Sequence, residues 1–443
     1  MTRISKLLGI RPPHIFGLLL ASMWMTPALG AKLNRYSYFN AHASGTLTPN
    51  TTLGADAAFY NPAGTAFGPE GFHFQLGNVT TYGDYYFGRG DAVVDFGAFN
   101  PILPTLSLAW RNNDLALFGV VFPQAGGLID VRDDAPVFDE SRDFIINASN
   151  DSPLNPGLII SDVRFSDNRL RVFTAYLGGV AGMALRLSDE LSVAAAIKPV
   201  YSFGDVLLSG SIELFNEDFG WFDLPELQDA TIRTESTGWD VGGIFGIHYQ
   251  PDETFRASLK FETLTRITLF NEAIEDPAGI AEGQDEIQTD IPAMLNLGVA
   301  KTFSKALELR LDVNYFYNEY ADAGTILGVN INGKLKNDWE IALGASYPFT
   351  DMLTFGGGVA LFKTGFTDEI RRSNRYSMNT VALGSWASYA FTEHLEVSAS
   401  IMGQFFEDGK TAMTEAPSQT PSGQTTLKTT FYVFGTDLSW HFD

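Results

Sequence analysis

The sequence predicts an all-β fold, a fourteen-stranded antiparallel transmembrane β-barrel. Three observations carry this expectation. After residue 70, segments of roughly ten residues alternate apolar and polar side chains. A leader of the export type precedes them. Short and long polar connections alternate between them. Leu307, Leu309, Leu311, Val313, Tyr315 and Tyr317 interleave with Glu308, Arg310, Asp312, Asn314 and Asn318. Successive strand residues point to opposite faces, so one face is greasy and the other charged.

The leader comes first. Arg3, Lys6 and Arg11 precede an apolar run from Ile15 to Met25, and small residues follow at Ala28 and Gly30. This is the layout of a secretory signal peptide, with cleavage expected after Gly30. The run is too short for an anchor helix, and Pro27 interrupts its end. No later segment reaches the ~18 apolar residues of a spanning helix. A mature chain that crosses a membrane must therefore do so as a closed barrel.

Composition fits that compartment. There is no cysteine, and a closed sheet of this size needs no disulfides. The formal charge is −23, and loss of the three basic leader residues makes the mature chain more acidic still. Nucleic acid is excluded as a partner because its phosphates would be repelled. The 43 glycines suit curved strands, and the 13% aromatic content suits interfacial girdles.

Residues 31 to about 68 do not alternate. They are rich in Ala, Gly, Thr and Asn, and about 40 such residues are too many for an ordinary loop. They form either a tail or a plug, and a fourteen-stranded barrel leaves a channel unless something fills it.

Six tight connections then stand out: 112–114, 188–190, 250–253, 304–305, 349–352 and 392–394. Each is polar or Pro-bearing, as hairpin turns should be. Seven longer polar segments lie near 87–100, 124–168, 216–236, 271–289, 321–337, 367–375 and 407–426. Six short and seven long connections join fourteen strands. The outward faces are expected to carry Trp239, Val241, Phe245, Ile247 and Tyr249, then Phe255, Leu259 and Phe261. Trp339, Ile341, Leu343 and Tyr347 follow, then Leu395, Val397, Ile401 and Phe405. The lumen is expected to carry Asp240, Arg256, Lys260, Glu262, Glu308, Arg310, Asp312, Glu340 and Glu396. On this assignment Leu343→Arg is damaging, whereas Glu308→Gln is indifferent. The last run, Tyr432, Phe434, Thr436, Leu438, Trp440 and Phe442, resembles the signal read by the barrel assembly machinery, although Asp443 follows its aromatic.

Ala55-Asp56-Ala57-Ala58-Phe59-Tyr60 leads into Asn61-Pro62-Ala63-Gly64 behind the leader and ahead of the counted strands. This arrangement resembles the FadL/TodX family of outer-membrane transporters of hydrophobic compounds. In layout the resemblance covers the whole mature chain; in sequence it is sharp over Asp56 to Gly64. It implies a signal peptide at 1–30, a lumenal hatch at 31–68 and a fourteen-stranded barrel at 69–443. It implies passive uptake of long-chain fatty acids or similar molecules by capture, hatch movement and lateral release through a kinked third strand. The matching segment runs from Leu117 to Gly127. Pro123 has no ladder donor there, and Gly126 and Gly127 weaken pairing. The residues alone also fit an ordinary strand end entering a loop.

Other features carry two readings each. Phe215, Phe219, Trp221, Phe222 and Leu224 cluster in one long connection. They are candidates for ligand capture, or they cap the barrel. Arg256, Lys260, Glu308, Arg310 and Asp312 either bind a carboxylate head group or pair with one another and the hatch, and pairing is favoured because unpaired charge is costly. His42, His73, His248, His394 and His441 have no metal-ligand spacing. Asp368 and Glu369 near Arg371 and Arg372 read as a solvated loop edge. Acidic loop residues at 216–218 and 282–286 could bridge lipopolysaccharide through cations, with solubility the simpler account. No catalytic residue, metal or cofactor is expected. The expected partners are a hydrophobic ligand, outer-membrane lipid, lipopolysaccharide and the assembly machinery, around a monomer in a Gram-negative type outer membrane. The alternatives are aromatic hydrocarbon uptake by the same route, an outer-membrane lipid hydrolase, or a structural porin-like barrel.

Overall fold

The computed structural model describes residues 40–89, 92–132, 138, 142, 146, 159–223, 230–275, 286–303, 306–322, 325–326, 329–330, 332–371, 377–410 and 425–442. The leader at 1–30 and residues 31–39 therefore lie outside the described residues. Fourteen antiparallel strands form the wall. They are β1 (Gly71–Arg89), β2 (Ala92–Asn112), β3 (Leu115–Arg132), β4 (Asp162–Arg186), β5 (Leu191–Asn216) and β6 (Ala230–Asp252). Then come β7 (Phe255–Glu262, continued by Thr265–Glu275) and β8 (Glu286–Ile291, continued by Met294–Phe303). The rest are β9 (Leu307–Phe316), β10 (Asp338–Pro348), β11 (Leu353–Lys363), β12 (Thr380–Ala390), β13 (Leu395–Phe406) and β14 (Thr426–Phe442). The sheet closes where β1 meets β14, in a register running from Phe72↔Phe442 to Gly88↔Thr426. Closure removes the two terminal edges that an open sheet would expose.

The period-two pattern sorts the faces as the sequence suggests. Trp239, Phe245, Leu343, Tyr347, Ile401 and Phe405 are exposed on the outside. Lys260, Glu262, Asp312 and Glu340 are buried on the inside. Glu396, the second residue of β13, shares the inward face with buried Ser398 and Gln404 and is exposed at the barrel mouth, where it lines a cavity with His42, Arg256 and Arg310. Leu343 is 56% exposed in mid-strand. Leu343→Arg is expected to cost about 2–4 kcal/mol if it lies near the bilayer midplane, measured as the loss of folding stability in lipid vesicles. Equal tolerance of Arg and Leu there would reverse the face assignment.

The expected short turns at 112–114, 188–190, 250–253, 349–352 and 392–394 all join consecutive strands, while residues 304–305 fall outside the described set. The expected long connections are shorter than the sequence suggested. The segment near 87–100 is wall rather than loop: β1 and β2 pair up to Arg89↔Ala92. Val93, Val94, Phe96 and Phe99 are good strand formers, and they outweigh the polar residues among them. Likewise β3 runs on to Arg132, β4 begins at Asp162, and Gly220–Asp223 folds back onto β5.

Residues 40–68 pack inside the barrel. Helix α1 (Ala41–Thr46) is capped by Asn40, whose Oδ1 accepts from Ala43 N at 2.7 Å. A short turn of 3-10 helix (Pro49–Thr51), helix α2 (Ala57–Tyr60) and a second 3-10 stretch (Pro62–Phe67) follow. Nearly every residue of this segment is buried. Its Ala43, Leu47, Ala58, Phe59 and Ala63 form one apolar core with Phe118, Phe122, Ala342, Ala360 and Met402 of the wall. The lumen is thus not simply polar. Where the segment rests, small and aromatic side chains stand among the lumenal charges.

Candidate functional site

Among the described residues, the ladder between β2 and β3 is interrupted along a seam. β2 and β3 pair only from Leu106↔Val121 down to Asn112↔Leu115. Above Val121, β3 stays paired with β4 as far as Arg132↔Arg169, and β2 stays paired with β1. Among the described residues, the facing edges of β2 and β3 have no ladder above that point. The segment from Pro123 to Gly127 is therefore part of a strand, not its end. Pro101, Pro104 and Pro123 flank the seam, and none has an N–H to offer. Both strands are also irregular here. The β3–β4 register shifts between Pro123 and Ala125, and the β1–β2 register shifts between Val79 and Thr81. A bulge adds a residue and bends the strand away from its neighbour.

Gly126 is needed for this bend. Its φ is +149°, and a Cβ there would lie 2.6 Å from the Thr174 carbonyl oxygen. Gly127 differs, because a Cβ on it would meet nothing within 4 Å. The empty space beside it is a cavity of about 320 Å³. Pro123, Gly126, Gly127 and Leu128 of β3 line it, facing Ile102 and Leu103 of β2 across the seam. Val79 and Tyr85 of β1, Phe173 of β4, Gln404 of β13 and Phe431 of β14 continue the lining round the inside of the wall. The break in the ladder and the cavity thus coincide.

The inner segment is held to the wall by three sets of contacts. Asp437 Oδ2 on β14 accepts from the backbone of Ala41 at 2.8 Å and His42 at 3.3 Å. Asp312 Oδ2 on β9 accepts from Asn50 N at 2.8 Å. Asn61 Oδ1 accepts from Gly64 N at 3.3 Å, while its Nδ2 donates to Thr52 O and meets His248 Nδ1, both at 3.0 Å. Ser192 Oγ donates to Ala63 O at 2.7 Å. The Asn-Pro-Ala-Gly run is therefore a tight turn docked on β5 and β6. Burial opposes the charge of Asp56, but hydrogen bonds from His42, Thr52 and Asn40 outweigh it and hold this carboxyl below its ordinary range.

The lumenal charges pair with one another and with this segment. Glu262 lies 2.5 Å from Lys198 and 2.8 Å from Lys260, with Lys198 and Glu262 fully buried. Lys260 also donates to Phe59 O at 2.9 Å and sits 4.2 Å from the Phe59 ring centroid. Glu308 is bound by Arg256 at 2.5 Å and by Arg310. Arg310 reaches His42 at 2.6 Å. Glu308→Gln is then not indifferent, contrary to the expectation from the strand pattern alone. It would leave two guanidinium groups without their shared carboxylate. Sequence reasoning did not single out Lys198, because nothing local shows that a residue of β5 meets Glu262 on β7.

The other candidate residues lie elsewhere. Phe215 and Trp221 meet in a tilted contact, with ring centroids 5.2 Å apart, where Gly220–Asp223 folds back, and Arg164 lies 4.1 Å over Trp221. Phe219 is 66% exposed, and none of Phe215, Phe219, Trp221 and Phe222 lines the cavity. Leu224 and Arg372 are outside the described residues. His73, His394 and His441 gather at the barrel end that holds the short turns, with His394 Nδ1 3.3 Å from His441 Nε2.

Comparison with known proteins bears on this architecture. The family described as outer membrane protein transport protein (OMPP1/FadL/TodX) matches residues 173–442. The chain belongs to this family. Three solved structures share the fold of this FadL/TodX protein. A Pseudomonas aeruginosa FadL homologue has a TM-score of 0.64 at 17% identity, covering 91% of this chain and 98% of its own. The P. putida toluene transporter TodX has a TM-score of 0.56 at 14% identity, covering 89% and 97%. The Ralstonia pickettii toluene transporter TbuX has a TM-score of 0.53 at 14% identity, covering 92% and 98%. A comparison with curated protein sequences yields no match. Membership makes this FadL/TodX chain an outer-membrane β-barrel that transports hydrophobic compounds.

Proposed function

We propose that the barrel admits long-chain fatty acids or similar hydrophobic molecules passively, and that they leave sideways through the seam between β2 and β3. The observation that carries this reading is the largely apolar cavity at the one place where the β2–β3 ladder stops. A molecule there borders both the lumen and the outer surface. Residues 31–68 act as the hatch, since their described part fills the lumen and leaves little room for a straight aqueous path. Phe215, Phe219, Trp221 and Phe222 are the proposed outer capture surface, feeding the cavity from above. The chain is exported by a signal peptide at 1–30 and works as a monomer among lipopolysaccharide and lipid, placed there by the assembly machinery. Net movement follows the ligand gradient, and affinity differences between sites set its direction.

The second reading keeps the route and changes the cargo. Two of the similar structures are toluene transporters, which favours small aromatic hydrocarbons. Gly127→Phe separates transport through the seam from other routes. The added ring has space to enter, so the barrel should fold. Uptake of a labelled long-chain fatty acid should fall at least about tenfold, a barrier increase of ~1.4 kcal/mol. Normal uptake with the ring in place would mean the ligand passes elsewhere. Running the same variant with labelled toluene identifies which cargo uses the seam.

A further inference from the structure

A carboxylic acid poses a problem for this cavity. Among the described residues, none of those lining it is Lys, Arg, His, Asp or Glu, and Tyr85 is the only ionisable side chain. Charged groups on the surrounding strands are turned away or engaged. Asp84 of β1 and Asp95 of β2 are exposed. Asp130 of β3 is paired with Arg169 of β4 at 2.5 Å. Arg171 of β4 and Glu396 of β13 are exposed. On β14, Lys428 meets Asp408 at 3.2 Å, and Asp437 receives the backbone of α1. The lumenal cations Lys198, Lys260, Arg256 and Arg310 are taken up by Glu262 and Glu308. A carboxylate entering the cavity would find no cation among the described lining residues, and a buried carboxylate without one takes up a proton instead.

One lining side chain suits the protonated form. Gln404 on β13 is 4% exposed, and its amide nitrogen has a thioether as partner, Met402 Sδ at 3.9 Å. A thioether is a weak acceptor, so the carboxamide retains bonding capacity. A carboxamide and a neutral carboxyl are complementary. The Gln404 N–H donates to the acid carbonyl, and the Gln404 C=O accepts the acid O–H. A carboxylate can only accept, and would face the amide oxygen with no proton between.

We propose that the exit cavity takes carboxylic acids only in their uncharged form, with Gln404 reading the head group. The inference rests on transport through the seam. The proton comes from the aqueous phase on entry and returns to it when the ligand reaches water. With an ordinary carboxyl pKa near 4.3, only about one molecule in several hundred carries that proton at pH 7. Acid binding is therefore steeply pH-dependent, whereas binding of a neutral alcohol is not.

The test compares decanoic acid, 1-decanol, decane and decanesulfonate on the full barrel in lipid nanodiscs, with uptake by protein-free nanodiscs subtracted. Decanoic acid affinity should weaken about tenfold per unit from pH 6 to pH 8. Decanol affinity should stay flat, and decanesulfonate, which is always charged, should not compete. Gln404→Leu should weaken acid and alcohol at least about fivefold while leaving decane unchanged. Decanesulfonate binding as well as decanoic acid, or acid binding that ignores pH, overturns the proposal while leaving transport intact. An unchanged acid affinity in folded Gln404→Leu removes Gln404 from the role. Failure of decanoic acid, 1-decanol and decane to bind at any pH would instead sink the transport reading and this inference together.

Discussion

Glu262→Gln is expected to destabilise the barrel by about 3–5 kcal/mol. Two ammonium groups, Lys198 at 2.5 Å and Lys260 at 2.8 Å, share this one carboxylate, and Lys198 and Glu262 are fully buried. Glutamine fills the same volume but removes the only negative charge the two lysines contact. Two like charges then remain in a dry environment, which is the costly half of breaking a buried pair. The effect should reach the inner segment, because Lys260 also holds Phe59 by its carbonyl and its ring. Urea unfolding in lipid vesicles measures the loss. Adding Lys198→Met to Glu262→Gln should recover part of it, since one stranded cation is gone. Wild-type stability of Glu262→Gln would show that water, not Glu262, neutralises the lysines.

Gly358→Val is expected to unseat the inner segment without preventing barrel assembly. The chain crosses β10, β11, β12 and β14 at Gly344, Gly358, Gly384 and Gly435. A Cβ on Gly358 would overlap the Thr46 carbonyl oxygen, and one on Gly435 would lie 2.7 Å from Ala41 Cα. The wall has side chains removed where the segment lies, and a valine there refills the bed. Overpacking of this kind costs about 1–3 kcal/mol. The strain falls on the segment, which rests on the wall by packing and a few hydrogen bonds and can shift, rather than on a ladder closed on itself. The expected readout is new ion conductance in planar bilayers and entry of small hydrophilic dyes. Val359→Ala, on the outward face beside it, should leave the barrel closed. A silent Gly358→Val would mean that the segment can shift along the wall and still block it.

Strand number, the outward faces and the tight turns at 112–114, 188–190, 250–253, 349–352 and 392–394 were readable along the chain. The reason is that alternation and turn chemistry are local. Leu343 and Trp239 declare their face by their neighbours, and Pro251 with Asp252 declares a reversal. Wall height was not readable. Polar residues near 87–100 look like a loop, yet they pair because β1 supplies a partner along their whole length. Pairing depends on the neighbour, and the neighbour is set by closure.

The candidate site divides in the same way. Pro123, Gly126 and Gly127 drew notice as poor strand formers, and the Asn61 to Gly64 run drew notice as a resemblance. Their composition could not say whether the strand ends or continues unpaired on one side. That was decided by β3 keeping β4 and losing β2 above Val121. Nor could composition show that Gly344, Gly358, Gly384 and Gly435 form one bed, since they are brought together by hydrogen-bonded strands rather than by sequence. The charges give the clearest case. Alternation placed Lys260, Glu262, Glu308 and Arg310 inside, but Lys198 joins Glu262 across 64 residues of chain. By itself the sequence determined the barrel, its count and its greasy exterior, because these follow from a period of two and the chemistry of turns. Tertiary structure alone decided the seam, the glycine bed and the pairing of Glu262 with Lys198 and of Glu308 with Arg256, because each depends on which strands become neighbours.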